Sequence, residues 1–166
     1  NAVVMGAPHV LVVPTHSLYG QSTDNALTLF IRSLEEINPY AISKNMRLAI
    51  EIVYPQLSDY MNSTQDALNV ISALNTKNIG VVIDSGHLNL SGEELENAIK
   101  KLGDCLWQVH INDNDGKVQQ NAVPGEGKFN FDRFINLLRT YGYDDYLSLE
   151  LGWNYSFDPV PALQEA

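Results

Sequence analysis

The sequence predicts a parallel α/β fold. Short apolar strands alternate with amphipathic helical stretches, the order of a chain that returns through a helix between parallel strands. No G-x-G-x-x-G turn and no Walker loop follows a strand; an acid or a histidine stands there instead. A doubly wound sheet and a (β/α)8 barrel share this alternation, and glycine-rich phosphate loops would favour the first.

Each element has a local cause. Val10 to Val13 is β-branched-rich and stops at Pro14. Ser22, Thr23 and Asp24 offer caps for a helix carrying Leu27, Phe30, Ile31 and Leu34 at helical spacing. Arg47 to Val53 reads as a strand closed by Pro55. Ser63 and Asp66 form a capping box before Ala67, Leu68, Val70, Ile71 and Leu74. Ile79 to Asp84 is the next strand, and Ser91 with Glu94 reads as a second capping box before Leu95, Ala98, Ile99 and Leu102. Leu106 to Ile111 is a strand, followed by a long polar loop from Asp113 to Lys128. Asn130 caps a helix with Phe134, Ile135, Leu138 and Tyr141, stopped by Gly142. Tyr146 to Leu151 is the last strand, and a further helix begins at Val160 to Ala166.

Composition narrows the partners. The chain has 166 residues and a formal charge of −10, which repels phosphate backbones and argues against nucleic acid. No apolar run approaches a membrane span. Cys105 is the only cysteine, so no intrachain disulfide forms and a reducing cytoplasm is the expected location. The start, Asn1 to Gly6, carries neither a basic leader nor an initiator Met and reads as mid-domain sequence.

Strand alternation then sorts the side chains. Glu51 shares a face with Ala49, Asp84 with Val82, His110 with Gln108, and Glu150 with Ser148. Leu48 and Ile50, Val81 and Ile83, Trp107 and Val109, Leu147 and Leu149 take the other face, the one helices would cover. Alone, a carboxylate at a strand end is ordinarily a helix N-cap or a solvated loop residue, and a lone histidine is ordinarily structural. Four in phase near the C-terminal ends of four strands point to a shared site. Three carboxylates there would repel one another, and a divalent cation resolves the conflict. Carboxylates with one imidazole and no thiolate suit Mn2+, Mg2+, Co2+ or Zn2+. His87, just past Asp84, is placed to reach a substrate oxygen.

These residues carry a resemblance. Ala49-Ile50-Glu51, Asp84-Ser85-Gly86-His87, Val109-His110-Ile111-Asn112-Asp113, Pro124-Gly125-Glu126-Gly127 before Phe129-Asn130-Phe131, and Leu149-Glu150 stand in order. Together they resemble the sugar phosphate isomerase/epimerase family of xylose-isomerase-like TIM barrels, with its D-tagatose 3-epimerase, hydroxypyruvate isomerase and inosose dehydratase groups. The resemblance runs from about Val10 to about Pro161. It implies a (β/α)8 barrel, of which this chain supplies about five of the eight β-α units, the C-terminal half, since a whole barrel takes about 250 residues. Residues 1–166 are then one partial domain, its missing N-terminal half a required companion; a homo-oligomer is left open.

The resemblance also implies roles. Glu51, Asp84, His110 and Glu150 look like the ligands of one divalent ion, Mn2+ foremost. Glu51 and Glu150 look like the groups that move the proton at carbon, and His87 like the histidine on the substrate's oxygen. Family epimerases carry an arginine after the histidine strand; here that stretch is Asp113-Asn114-Asp115-Gly116-Lys117, and Lys117 is the one cation available to bind substrate. The Asp-x-His pair of endonuclease IV relatives is replaced by Gln119 and Asn121, so a trinuclear zinc cluster is not expected. The implied activity is isomerisation or epimerisation of a sugar or other small polyhydroxy carbonyl compound through a metal-stabilised enediolate. An inosose-type dehydratase on the same site is the alternative. A metal-dependent phosphodiesterase and a non-catalytic binding module on the same barrel stand further off.

Overall fold

The computed structural model describes residues 1–156 and 159–165. Five parallel strands pair in sequence order: β1 (His9–Val12), β2 (Arg47–Ile52), β3 (Ile79–Asp84), β4 (Leu106–Ile111) and β5 (Leu147–Leu149). Every neighbouring pair is parallel, so each strand is reached by a crossover. Among the described residues the sheet stays open, with β1 and β5 at its edges. This is a half-barrel, the architecture of a partial (β/α)8 barrel.

The helices form one outer layer. After a short α1 (Ala2–Met5) come α2 (Thr23–Ser43), α3 (Thr64–Leu74), α4 (Ser85–Ser91), α5 (Leu95–Leu102), α6 (Phe131–Thr140) and α7 (Pro159–Glu165). Leu48, Ile50 and Ile52 of β2, Val81 and Ile83 of β3 and Val109 of β4 are buried in one cluster with Leu34, Val70, Ile99, Phe134 and Leu138 of the helices. Burying a side chain of this size contributes roughly 1.5–3 kcal/mol each, so this face holds the fold together. No described helix is long and apolar enough to cross a membrane.

Most boundaries follow the local chemistry. Ser22 caps α2 by accepting from the Asn25 backbone N–H, and Ser63 and Asp66 form the capping box of α3. Asn130 caps α6, which ends at Thr140 just before the left-handed Gly142. The capping box read at Ser91 and Glu94 does not form. Ser91 is instead the last residue of α4, a helix the sequence pattern did not show, and Glu94 caps α5 through the Asn97 N–H. Ala166, the end of the last predicted helix, lies outside the described residues.

One side-chain assignment needs correction. Val81 pairs with Leu106 but Val82 pairs with Gln108, so β4 carries an extra residue, Trp107, between them. Leu106 joins the outer core while Trp107 turns to the inner face. Its ring lies over Gly80, where any Cβ would run into it, and stacks beneath the Arg47 guanidinium 4.5 Å from the ring centre. The bulge restores the phase beyond it, so Gln108 and His110 keep the face expected of them.

The polar loop after β4 is organised by one buried carboxylate. Asp113 Oδ1 accepts from the backbone N–H groups of Asn114 (2.8 Å) and Phe129 (3.1 Å), and Oδ2 from those of Gly125 and Gly127 (2.9 Å each). Gly127 has no room for a side chain, because a Cβ would strike Asp113 and the Asn114 carbonyl. The Pro-Gly-Glu-Gly turn is thus a clasp around Asp113. Asp113→Ala should destabilise the fold by on the order of 3 kcal/mol, read from urea denaturation, since it strands several backbone donors at once.

Candidate functional site

The inner face carries the polar residues. Glu51 lies near the end of β2, Asp84 is the last residue of β3, and His110 is next to last in β4. Glu150 follows β5 and continues its pairing, donating its backbone N–H to the Ile111 carbonyl at 3.0 Å. Parallel strands in register therefore deliver all four to one end of one face. One donor atom from each lies within 4.8 Å of all the others. Glu51, Asp84 and His110 are buried, whereas the Glu150 side chain is half exposed.

His110 sits between the outer carboxylates. Its Nδ1–H donates to Glu51 Oε1 (3.1 Å) and Glu150 Oε2 (2.8 Å). Burial alone would lower its pKa; the hydrogen bonds it donates to Glu150 and Glu51, and the charge of both, overcome this and raise it to about 10. The same hydrogen bond with His110 holds Glu150 below the ordinary carboxylate value, against its partial burial. Asp84 goes the other way. Burial, reinforced by the charges of Glu51 and Glu150, pushes its carboxyl up to about 8, although the His87 backbone N–H opposes the shift.

Asp84 has two tasks. Its Oδ1 accepts from the His87 backbone N–H at 2.9 Å and so caps α4. Its Oδ2 accepts from the Asn112 side-chain amide at 2.5 Å. Ser85 ties the same corner down: its hydroxyl donates to the Asn112 carbonyl (2.6 Å) and accepts from the Asn112 N–H (2.9 Å). Gly86 lies flat beneath Asn112, where a Cβ would meet the amide oxygen. The Asp-Ser-Gly-His motif is therefore a turn locked to the end of β4.

His87 stands beside the cluster, its Nδ1 3.9 Å from Asp84 Oδ1 and its ring stacked on Tyr54 at 5.2 Å between centres. Burial holds its pKa below the ordinary histidine value, so the ring is neutral near pH 7. Its Nδ1 is buried without a hydrogen-bond partner among the described residues. Lys117 is exposed in the turn after β4, where its backbone N–H donates to Asp115 Oδ1. The structure thus brings Glu51, Asp84, His110 and Glu150 together with His87 alongside, and leaves Lys117 in an outer turn.

Sequence reasoning gave no role to Asn112, Ser85, Tyr54 or Gln108. The phase of β4 offered a signal for Asn112, which stands two residues beyond His110 and shares its parity. Tyr54 left no such signal, since it follows the end of β2 and its direction is set by the loop.

The chain belongs to the xylose isomerase-like TIM barrel family, whose model matches residues 1–166. It is 26% identical to the fructoselysine 3-epimerase of Escherichia coli O157:H7 over 155 residues, covering 93% of this chain and 56% of that protein. It is 24% identical to the inosose isomerase of Bacillus licheniformis, covering 89% of this chain and 55% of the relative. The chain spans about half the length of the curated relatives it matches. Among solved structures it resembles the 3-keto-D-glucoside 4-epimerase YcjR of E. coli in its apo form, with a TM-score of 0.82 at 20% identity over 98% of this chain and 65% of that one. It also resembles the IOLI protein with a bound zinc atom, with a TM-score of 0.82 at 23% identity over 99% and 62%. At such identities the structural likeness carries the fold.

The raised pKa values set a pH dependence for the metal-free protein. Asp84 ordinarily titrates at 3.8 and here at about 8, so the stability tied to its protonated form falls as pH rises between those values. For His110 the contribution is full below 6.5 and is lost as pH rises through about 10. Both act in the same direction between pH 6.5 and 8. The melting temperature of chelator-treated protein should fall across that window, measured by calorimetry. A midpoint that rises there would contradict these shifts.

Proposed function

We propose that the intact protein is a divalent-metal-dependent isomerase or epimerase acting on a sugar or other small polyhydroxy carbonyl compound. The observation that carries this reading is the convergence of three carboxylates and one imidazole within 4.8 Å at the C-terminal end of a half-barrel sheet. The names of the relatives, fructoselysine 3-epimerase and inosose isomerase among them, support the same reaction class.

The residues fit a metal. Their donor set is oxygen-rich with one imidazole and no thiolate, which suits Mn2+, our first choice, and also Mg2+, Co2+ or Zn2+. A carboxyl held up at about 8 by burial, with two neighbouring carboxylates adding to the shift, is a group whose ionised form lacks a cation. Glu51, Asp84, His110 and Glu150 would hold the ion. When bound, a divalent ion supplies positive charge that acidifies a C–H beside a substrate carbonyl.

The protein's own groups then move the proton. Glu51 lies in β2 and Glu150 just past the end of β5, on either side of Asp84 and His110, so they can reach opposite faces of one substrate carbon. One carboxylate takes the proton and the C–H electron pair passes toward the carbonyl oxygen. Return of a proton to the opposite face inverts the carbon; return to the neighbouring carbon moves the carbonyl, provided the hydroxyl proton passes to the former carbonyl oxygen. Glu51 is buried and Glu150 half exposed, so Glu150 exchanges its proton with water more readily. His87, neutral and stacked on Tyr54, donates a hydrogen bond to a substrate oxygen and stays off the ion.

Two variants test these roles. Glu150→Gln should fold normally and lose roughly 10²–10⁴-fold in kcat, assayed on keto-sugars and inososes together with C–H exchange in D2O. Turnover at the wild-type rate would remove Glu150 from the proton transfer. His87→Ala should keep its metal content near wild type, measured by elemental analysis, while KM rises and kcat falls. Loss of the metal with the His87 ring would make that residue a ligand instead.

A further inference from the structure

Below the four converging residues, the inner face continues with a second polar layer. The Gln108 side-chain amide lies in its middle, with Oε1 2.5 Å from His9 Nε2 and the amide nitrogen 3.0 Å from both His110 Nε2 and Ser148 Oγ. It is the group against the edge of His110 that faces away from the carboxylates. The layer borders a basin of about 380 Å³ lined by His9, Trp107, Gln108 and Ser148 among others.

We infer that Gln108 is the positioning residue for His110, its amide fixing the imidazole so that Nδ1 is offered to the metal and Nε2 is held as an N–H donor. This rests on the proposed metal site. The nitrogen that faces Glu51 and Glu150 is Nδ1. With an ion on Nδ1 the ring keeps on Nε2 the proton that the imidazolium already carries there, and that N–H needs an acceptor. Gln108 supplies one by turning its amide through 180°, which exchanges two ends of equal size and displaces no neighbour. Turned, Oε1 receives the His110 Nε2–H and the Ser148 O–H, and the amide nitrogen meets His9 Nε2.

The arrangement also predicts which replacement is tolerated. His9 Nε2–H, His110 Nε2–H and Ser148 O–H can all donate, so an acceptor-only carboxylate satisfies every neighbour. An apolar side chain of the same reach satisfies none. Histidine ligands that lose such an outer partner typically lose about 10–100-fold in metal affinity.

The test measures Zn2+ affinity of the intact protein by competition with a chelator, and the His110 ring state by 15N NMR of the zinc-loaded form. Wild type should show Nδ1 bound to zinc and a protected Nε2–H. Gln108→Leu should bind zinc roughly 10–100-fold more weakly and lose that protection. Gln108→Glu should restore both, and it decides the question if the Leu variant fails to fold. Wild-type affinity and an unchanged Nε2–H in Gln108→Leu overturn the role of Gln108 alone, provided His110→Ala loses the ion. A Glu variant as weak as the Leu variant also overturns it, because packing and not acceptance would then matter. Zinc held as tightly by His110→Ala as by wild type overturns the metal site itself, and Gln108's part with it.

Discussion

Three carboxylates gathered within 4.8 Å, with one imidazole between two of them, are the constraint around which this half-barrel is arranged. Like charges at that separation in a partly buried site oppose folding. The sheet overrides them because its other face is apolar and closely packed against helices. The strands are free to turn acids inward only because Leu48, Ile50, Val81, Ile83 and Val109 secure them outward. Stability and chemistry are thus carried by opposite faces of the same strands, one residue apart in sequence.

The site shows how the cost is contained. His110 keeps a proton far above its ordinary pKa and lends its charge to Glu51 and Glu150. Asp84, almost fully buried, keeps its own proton instead and spreads its lone pairs over the His87 N–H and the Asn112 amide. Both solutions are provisional: each places a proton where a cation would serve. Ions that displace these protons would release them to solvent, so binding and pH are linked by the same two residues.

Much of this was legible in the sequence. Strand parity put Glu51, Asp84, His110 and Glu150 on one face, because a period of two holds along every stretch of strand without a bulge. The capping box at Ser63 and Asp66 was readable for a similar reason, since both partners lie within one turn. What escaped was non-local. The bulge at Trp107 is a feature of the pairing of β4 with β3, its ring filling the space over Gly80, which no window on β4 reveals. Helix α4 is short, carries no apolar periodicity, and is capped by a residue that strand reasoning had assigned elsewhere. Asp113 looked like one acid in a polar loop; its four backbone donors come from as far as Phe129.

Asp84 makes the deeper point. From sequence alone, a carboxylate at a strand end reads as either a helix cap or a site residue, as though these were competing explanations. In the structure its two oxygens divide the work: Oδ1 caps α4, and Oδ2 is held by Asn112 on the neighbouring strand's extension. The cap fixes where α4 begins, and α4 begins two residues before His87. A single side chain therefore sets both its own place in the cluster and the distance from which His87 approaches it. A short turn capped this way positions a flanking histidine more firmly than a free loop could, since Ser85 and Gly86 lock the same turn to Asn112 from the other side. The capping role does not compete with the chemical one; it is the means by which the strand end holds its second histidine still.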